Sequence, residues 1–158
     1  MLFLDSSVDT QSKIGYGAYL LLSEYGLSLD LLKSSVKVKR FEQTSSTKLE
    51  LQTLLWALCD IEIEGCTVNI YTDSKNIVDL PDRRERLEKT DYRSRKKRCL
   101  KHHKLYQAFF RLTDQIDCRF VKVRGHQPSN QKKDIDRLFT FVDKASRNAL
   151  RGNNRKLS

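Results

Sequence analysis

No apolar run in this 158-residue chain approaches the roughly 20 residues that a helix needs to cross a bilayer, so a membrane-spanning reading has no support. Nor does a basic segment precede an apolar one at the N-terminus. Met1-Leu2-Phe3-Leu4 is already strand-like rather than a secretory signal, and a cytoplasmic location is expected. The four cysteines, Cys59, Cys66, Cys99 and Cys118, include no C-x-x-C pair. That spacing argues against a zinc site and, without a secretion signal, against a disulfide framework. Cys59 lies among leucines and is expected to be a plain buried thiol. There is also no internal repeat and no linker. The length suits a single domain with one sizeable core, taken as residues 1–151, with 152–158 expected to form a frayed tail. Nothing implies a membrane or protein partner, and a monomer is expected.

What the chain has in excess is positive charge. The formal net charge is +10 and the pI near 9.6, with 39% hydrophobic and 32% charged residues. Between Arg83 and Lys104 eleven Lys or Arg stand against three acids, a net +8 that holds most of the excess. A charge run is usually a solvated face, but this one is denser than solubility requires. It favours contact with a polyanion such as nucleic acid. His102 and His103 fall inside it and are assigned only proximity to phosphate.

Periodicity gives a coarse element order. Leu2 to Asp5 reads as a short strand, Ile14 to Ser23 as a second, and a less regular third lies within Leu27 to Arg40. Thr44 to Thr47 offer N-cap hydroxyls. Glu50 stands three residues after Thr47, the spacing of a capping box. Leu51, Leu54, Leu55, Leu58 and Ile61 continue that helix until Gly65. Val68 to Thr72 is a buried strand. Ser74 caps a short helix that Pro81 interrupts after Leu80. Leu105, Phe109 and Leu112 mark another helix, Phe120 to Val123 the last strand, and Ile135, Leu138, Val142, Ala145 and Ala149 a final amphipathic helix. A mixed sheet with helices packed on its faces follows from this order.

Four carboxylates sit at the margins of these apolar elements. Asp5 closes Leu2-Phe3-Leu4, Asp73 closes Val68 to Thr72, Glu50 opens an apolar helix, and Asp143 rides the last helix. A carboxylate at the rim of a core can be reached by a cation. Several such rims converging would suit a hard divalent ion, which prefers oxygen ligands.

Taken with Thr44-Ser45-Ser46-Thr47-Lys48-Leu49-Glu50, Tyr71-Thr72-Asp73-Ser74, Lys122-Val123-Arg124-Gly125-His126 and Val142-Asp143-Lys144-Ala145-Ser146-Arg147, the chain resembles type 1 ribonuclease H, bacterial-type and single-domain. The resemblance spans roughly residues 1 to 150. Each motif alone is common, and their order is what makes the match specific. It implies an α/β, ribonuclease H-like fold: a five-stranded mixed sheet, three antiparallel strands then two parallel, flanked by helices on both faces. It also implies a metal-dependent endonuclease that hydrolyses the RNA strand of RNA–DNA hybrids by a two-metal-ion mechanism, leaving 5′-phosphate and 3′-hydroxyl ends. Asp5, Glu50, Asp73 and Asp143 match the carboxylates that hold two Mg²⁺ in the family, with Mn²⁺ able to substitute. His126 matches a histidine assisting proton transfer or product release. Ser45, Ser46 and Thr47 match nucleic-acid contacts, although capping the helix explains them as well. Arg95, Lys96, Lys97 and Arg98 stand within the segment that corresponds to the family's hybrid-binding projection.

The chain also departs from the pattern. Ser6-Ser7-Val8 replaces the glycine that commonly follows the first Asp. The stretch from His126 to Asp143 is longer than usual, so Asp136 competes with Asp143 for the fourth metal position. Two other readings stay open: a catalytically weak nucleic-acid-binding module on the same fold, and a nuclease of that fold acting on DNA structures.

Overall fold

The structure is a computed structural model that describes residues 1–23, 29–63, 65–124 and 134–157. Strand β1 (Leu2–Asp9) forms a hairpin with β2 (Ile14–Leu21), which pairs in turn with β3 (Lys37–Phe41) after a short helix, α1 (Leu29–Ser35). Helix α2 (Ser46–Asp60), strand β4 (Val68–Thr72), helices α3 (Lys75–Lys89) and α4 (His103–Gln115), strand β5 (Cys118–Lys122) and helix α5 (Asp134–Leu157) follow. The sheet order is β3-β2-β1-β4-β5, with β1, β2 and β3 antiparallel and β1, β4 and β5 parallel. This is the five-stranded mixed sheet that the sequence led us to expect.

Alternation along the strands sets the layers. Leu2 and Leu4 of β1 and Val68 and Ile70 of β4 pack with Leu51, Leu54 and Leu58 of α2, Ile77 and Leu80 of α3, and Phe109 of α4. Phe3 points the other way, with Ala18 and Leu20 of β2, onto Leu32 of α1 and Phe139 and Val142 of α5. Successive residues of a strand face opposite sides, so β1 is covered on both. Each fully buried Leu or Phe contributes about 1.5–3 kcal/mol from leaving water. The far end of α2 is tied to the sheet by Asp60, which accepts hydrogen bonds from Tyr19 Oη and, at 3.1 Å, from Lys37 Nζ.

Close packing of α2 on β2 depends on Gly17, where an added Cβ would overlap the Thr53 side chain. Thr53 is buried and its hydroxyl donates to Leu49 O at 2.8 Å, so it has no room to retreat. Gly17→Ala is therefore expected to cost about 1–3 kcal/mol, read as a lower melting temperature with an unchanged circular dichroism spectrum.

Several expectations change. Within the third-strand segment, residues 29–35 are helical and the strand is confined to Lys37–Phe41. Alternating Val36 and Val38 marked the strand, and the seven-residue helix Leu29–Ser35, about two turns, carries no pattern long enough to announce itself. Pro81 does not end α3, because Ile77, Leu80 and Leu87 keep burying one face across it. Cys59 is exposed, since the apolar stripe of α2 faces away from it. The segment from Gly152 continues as helix to Leu157 instead of fraying.

Candidate functional site

Asp5 stands in the middle of β1, not at its end. The strand continues because Ser6 to Asp9 still pair with β2. On the other side β1 pairs with β4 only at Leu2 and Phe3. Beyond Phe3, β4 stops and Asp73 follows at once, leaving a notch beside Asp5. Glu50 reaches it from one turn inside α2, and one crevice is lined by Asp5, Glu50 and Asp73 together with Ser6 and Thr72. From the opposite face Asp143 on α5 comes close enough to act on the Asp5 carboxyl.

These carboxylates strain one another. Burial, the negative charge of Asp73 and the contact with Asp143 push the Asp5 carboxyl up to about 8. Burial also raises Glu50, opposed by a hydrogen bond from Ser74 Oγ to Glu50 Oε2 at 2.7 Å. That bond replaces the expected capping box with Thr47. The cap of α2 is Ser45, whose Oγ accepts from Lys48 N, and Glu50 is turned toward the β4–α3 junction instead. Asp143 is held by Arg147, Nε to Oδ1 at 2.9 Å, while the buried Ser146 donates to Asp143 O at 3.1 Å and meets Ser7 Oγ at 3.0 Å. Asp136, seven residues earlier, is not among the groups acting on Asp5.

As the side chains are turned, no three acidic, His or Cys groups among the described residues stand close enough to grip one ion. Ser74 and Arg147 each draw one carboxylate aside. The donor set nonetheless suits a hard divalent cation, being all carboxylate oxygen, with neighbouring negative charge that burial makes costly to leave unneutralised. His126 lies outside the described residues.

A second feature lies at the start of α2. An open cavity of about 660 Å³ is lined by Lys13, Gln43, Thr44, Ser45, Lys48, Lys101, His102, His103 and Lys104. The N-termini of α2 and α4 border it, and His102, the cap of α4, makes no side-chain capping bond. Two helix starts and four lysines make a strong anion trap. Burial and the charges of Lys101 and Lys48 lower the His102 pKa, which leaves the ring uncharged at neutral pH. From the sequence His102 was assigned only proximity to phosphate, and Lys13 and Gln43 were not marked. Those two arrive through left-handed backbone, φ 58° and 49°, locked by Thr44 N donating to Lys13 O at 3.0 Å.

The arrangement agrees with what sequence comparison finds, for the RNase H family profile matches residues 1–144. The chain belongs to the RNase H family. That membership makes it a nuclease of the ribonuclease H type. Relatives named ribonuclease H include one from Clostridium botulinum, 25% identical over 124 residues, covering 77% of this chain and 79% of that one. Another, from Acetivibrio thermocellus, is 28% identical over 129 residues, covering 80% and 81%. The solution structure of the PFV RNase H domain superposes with a TM-score of 0.70 at 16% identity, over 93% of this chain and 91% of that one. A foamy viral protease-reverse transcriptase in complex with dsDNA gives 0.62 at 14% identity, over 92% of each chain. These two likenesses concern the fold.

In this RNase H chain the basic block divides in two. Arg84 is spent on structure, paired with Glu88 and Asp114 and laid over Phe110, and Arg83 lies over Tyr106. Arg95, Lys96, Lys97 and Arg98 are exposed at the tip of a turn closed by the Arg93–Cys99 bridge, whose base is fixed by buried Tyr92. Of the α2 start, Ser46 is exposed and Ser45 and Thr47 half-buried. No helix among the described residues is long and apolar enough to cross a membrane.

Proposed function

We propose that the chain cleaves the RNA strand of RNA–DNA hybrids by a two-metal-ion mechanism, leaving 5′-phosphate and 3′-hydroxyl ends, with Asp5, Glu50, Asp73 and Asp143 as the metal ligands. The observation that carries this reading is the single crevice that Asp5, Glu50 and Asp73 line, where burial first, and then the charge of Asp73 and the contact with Asp143, drive the Asp5 carboxyl up to about 8. A site that has to borrow a proton to stay folded is one that a cation would relieve. Asp143 is preferred to Asp136 because it is the one in contact with Asp5.

When bound, a pair of Mg²⁺ ions, or Mn²⁺ in their place, neutralises the scissile phosphate, lowers the pKa of a water and supports the leaving 3′ oxygen. The rest falls to the chain. Asp5 and Asp73 present oxygens from the rigid sheet, and Glu50 joins them on leaving Ser74. Arg147 and the Ser7–Ser146 pair hold Asp143 toward β1. His126 would carry a proton near the departing product, a task suited to imidazole. The lysine-lined cavity would take a phosphate of the DNA strand, with Ser45, Ser46 and Thr47 at the helix start. Arg95, Lys96, Lys97 and Arg98 would follow its backbone without reading bases.

The test is cleavage of end-labelled hybrid, RNA duplex and DNA duplex at matched salt, with metal withheld and restored. Hybrid cleavage that appears only with Mg²⁺ or Mn²⁺ is expected. Binding without cleavage would favour a binding module, and cleavage of DNA alone would favour a DNA nuclease.

The cavity also makes an expectation about pH. A phosphate favours the charged imidazole, so its binding takes up a proton on His102. Hybrid affinity, measured without metal, should therefore rise as pH falls from about 7.5 to about 5.5. His102→Ala should flatten that rise; an identical slope in the variant would exclude His102 from the contact.

A further inference from the structure

Beyond Asp143 the sequence contains no acidic residue, yet it carries Lys144, Arg147, Arg151, Arg155 and Lys156. The family match ends at 144, whereas α5 continues unbroken to Leu157. Lys144, Arg151, Arg155 and Lys156 are exposed. Spacings of three and four place Lys144, Arg147, Arg151 and Arg155 on one side of the helix. The side toward the sheet carries Ala145 and the buried Ser146.

The direction of this basic face follows from its contacts. Val142 shares a cluster with Phe3, Asp143 stands near enough to Asp5 to act on its carboxyl, and Ser146 meets Ser7. α5 thus advances along β1 in chain order, and its basic half leads away from the carboxylate crevice toward the β1–β2 turn. Complementing the negative end of the helix dipole accounts for Arg155 and Lys156, because that effect fades within the last turn. It does not account for Lys144 or Arg151.

We propose that the outer face of α5 beyond Asp143 is a phosphate rail that grips a nucleic-acid backbone continuing from the active site. From Lys144 to Arg155 the rail spans about 16 Å at 1.5 Å per residue, the length of about five base pairs of one strand. The proposal rests on the reading of the substrate as nucleic acid, but not on its being cleaved. Arg147 is left out of the rail, since it serves Asp143.

The test is binding of a labelled hybrid of about 20 base pairs, without metal, to wild type and to Lys144→Gln/Arg151→Gln/Arg155→Gln. On the order of tenfold weaker binding is expected, and the slope of log Kd against log salt should fall by about two to three. Arg151→Lys/Arg155→Lys should retain wild-type binding, because charge and not shape is at work. A matching melting temperature checks the fold, and the single reversal Arg151→Glu serves if the triple variant melts early. An unchanged Kd and salt slope would overturn the rail, and cleavage of the hybrid would not rescue it. A normal slope loss in a protein that fails to cleave would keep the rail and overturn the nuclease reading instead.

Discussion

Asp73→Asn is expected to lower hybrid cleavage by about a thousandfold or more while leaving hybrid binding within a few-fold. The amide keeps the size of the side chain, so the crevice between β1 and α2 stays filled. What it removes is a charge and an anionic oxygen at the point where β4 ends beside Asp5. Metal-derived stabilisation of a phosphoryl transition state is worth several kcal/mol, and each 1.4 kcal/mol is tenfold in rate. In the proposed reading hybrid binding falls to the lysine-lined cavity and the Arg95–Arg98 tip, neither of which includes Asp73. Single-turnover rates at saturating enzyme, set beside Kd from metal-free binding, separate the two effects. A variant that cleaves within tenfold of wild type would remove Asp73 from the chemistry.

Asp5→Asn should have a second large effect, of opposite sign, on stability. In the folded chain the Asp5 carboxyl is pushed up to about 8, against an ordinary 3.8. Below about pH 4 both folded and unfolded forms are protonated, and Asp5 contributes nothing. Between there and pH 8 the unfolded chain has released a proton that the folded chain still holds, so stability falls as pH rises. Above that window the cost is complete. At about 1.4 kcal/mol per pH unit it amounts to a few kcal/mol, or on the order of 5–10 °C in melting temperature for a chain of this size. Without metal, Asp5→Asn should melt higher than wild type at pH 8 and alike at pH 4. Equal melting at both pH values would mean that the carboxylates do not crowd Asp5. Adding Mg²⁺ at pH 8 should narrow the gap, because the ion stabilises only the form that binds it.

How far the sequence disclosed this site depends on which physical signal each residue leaves. Asp73 was legible because a run of buried residues ends at it, and Asp143 because the helix period of Val142 and Ala145 continues around it. Asp5 was found but misplaced. Ser6, Ser7 and Asp9 are polar, yet they stay in the strand because β2 pairs with them on one edge while the other edge borders the notch. Glu50 was assigned a capping partner three residues back, whereas its hydrogen bond comes from Ser74, 24 residues away. Spacing along the chain carries no trace of such a bond. The same holds for the anion cavity, which gathers Lys13, Gln43 with Lys48, and His102 from three separate segments. Helix α3 passes through Pro81 because tertiary burial of Leu80 and Leu87 outweighs a local preference. The final helix was read as far as Ala149 but not through Gly152 to Leu157, since Gly152, Asn153 and Asn154 are weak helix formers.

The most direct measurement is titration of Mg²⁺ by calorimetry into wild type and Asp5→Asn at pH 7.5–8. Wild type should give binding heats with release of roughly half to three-quarters of a proton, scaling with buffer ionisation enthalpy, because the ion displaces the proton that Asp5 partly holds at this pH. The variant should give little heat and no buffer dependence. Equal heats from the two proteins, with no proton released by either, would contradict the claim that these distant carboxylates form one cation site.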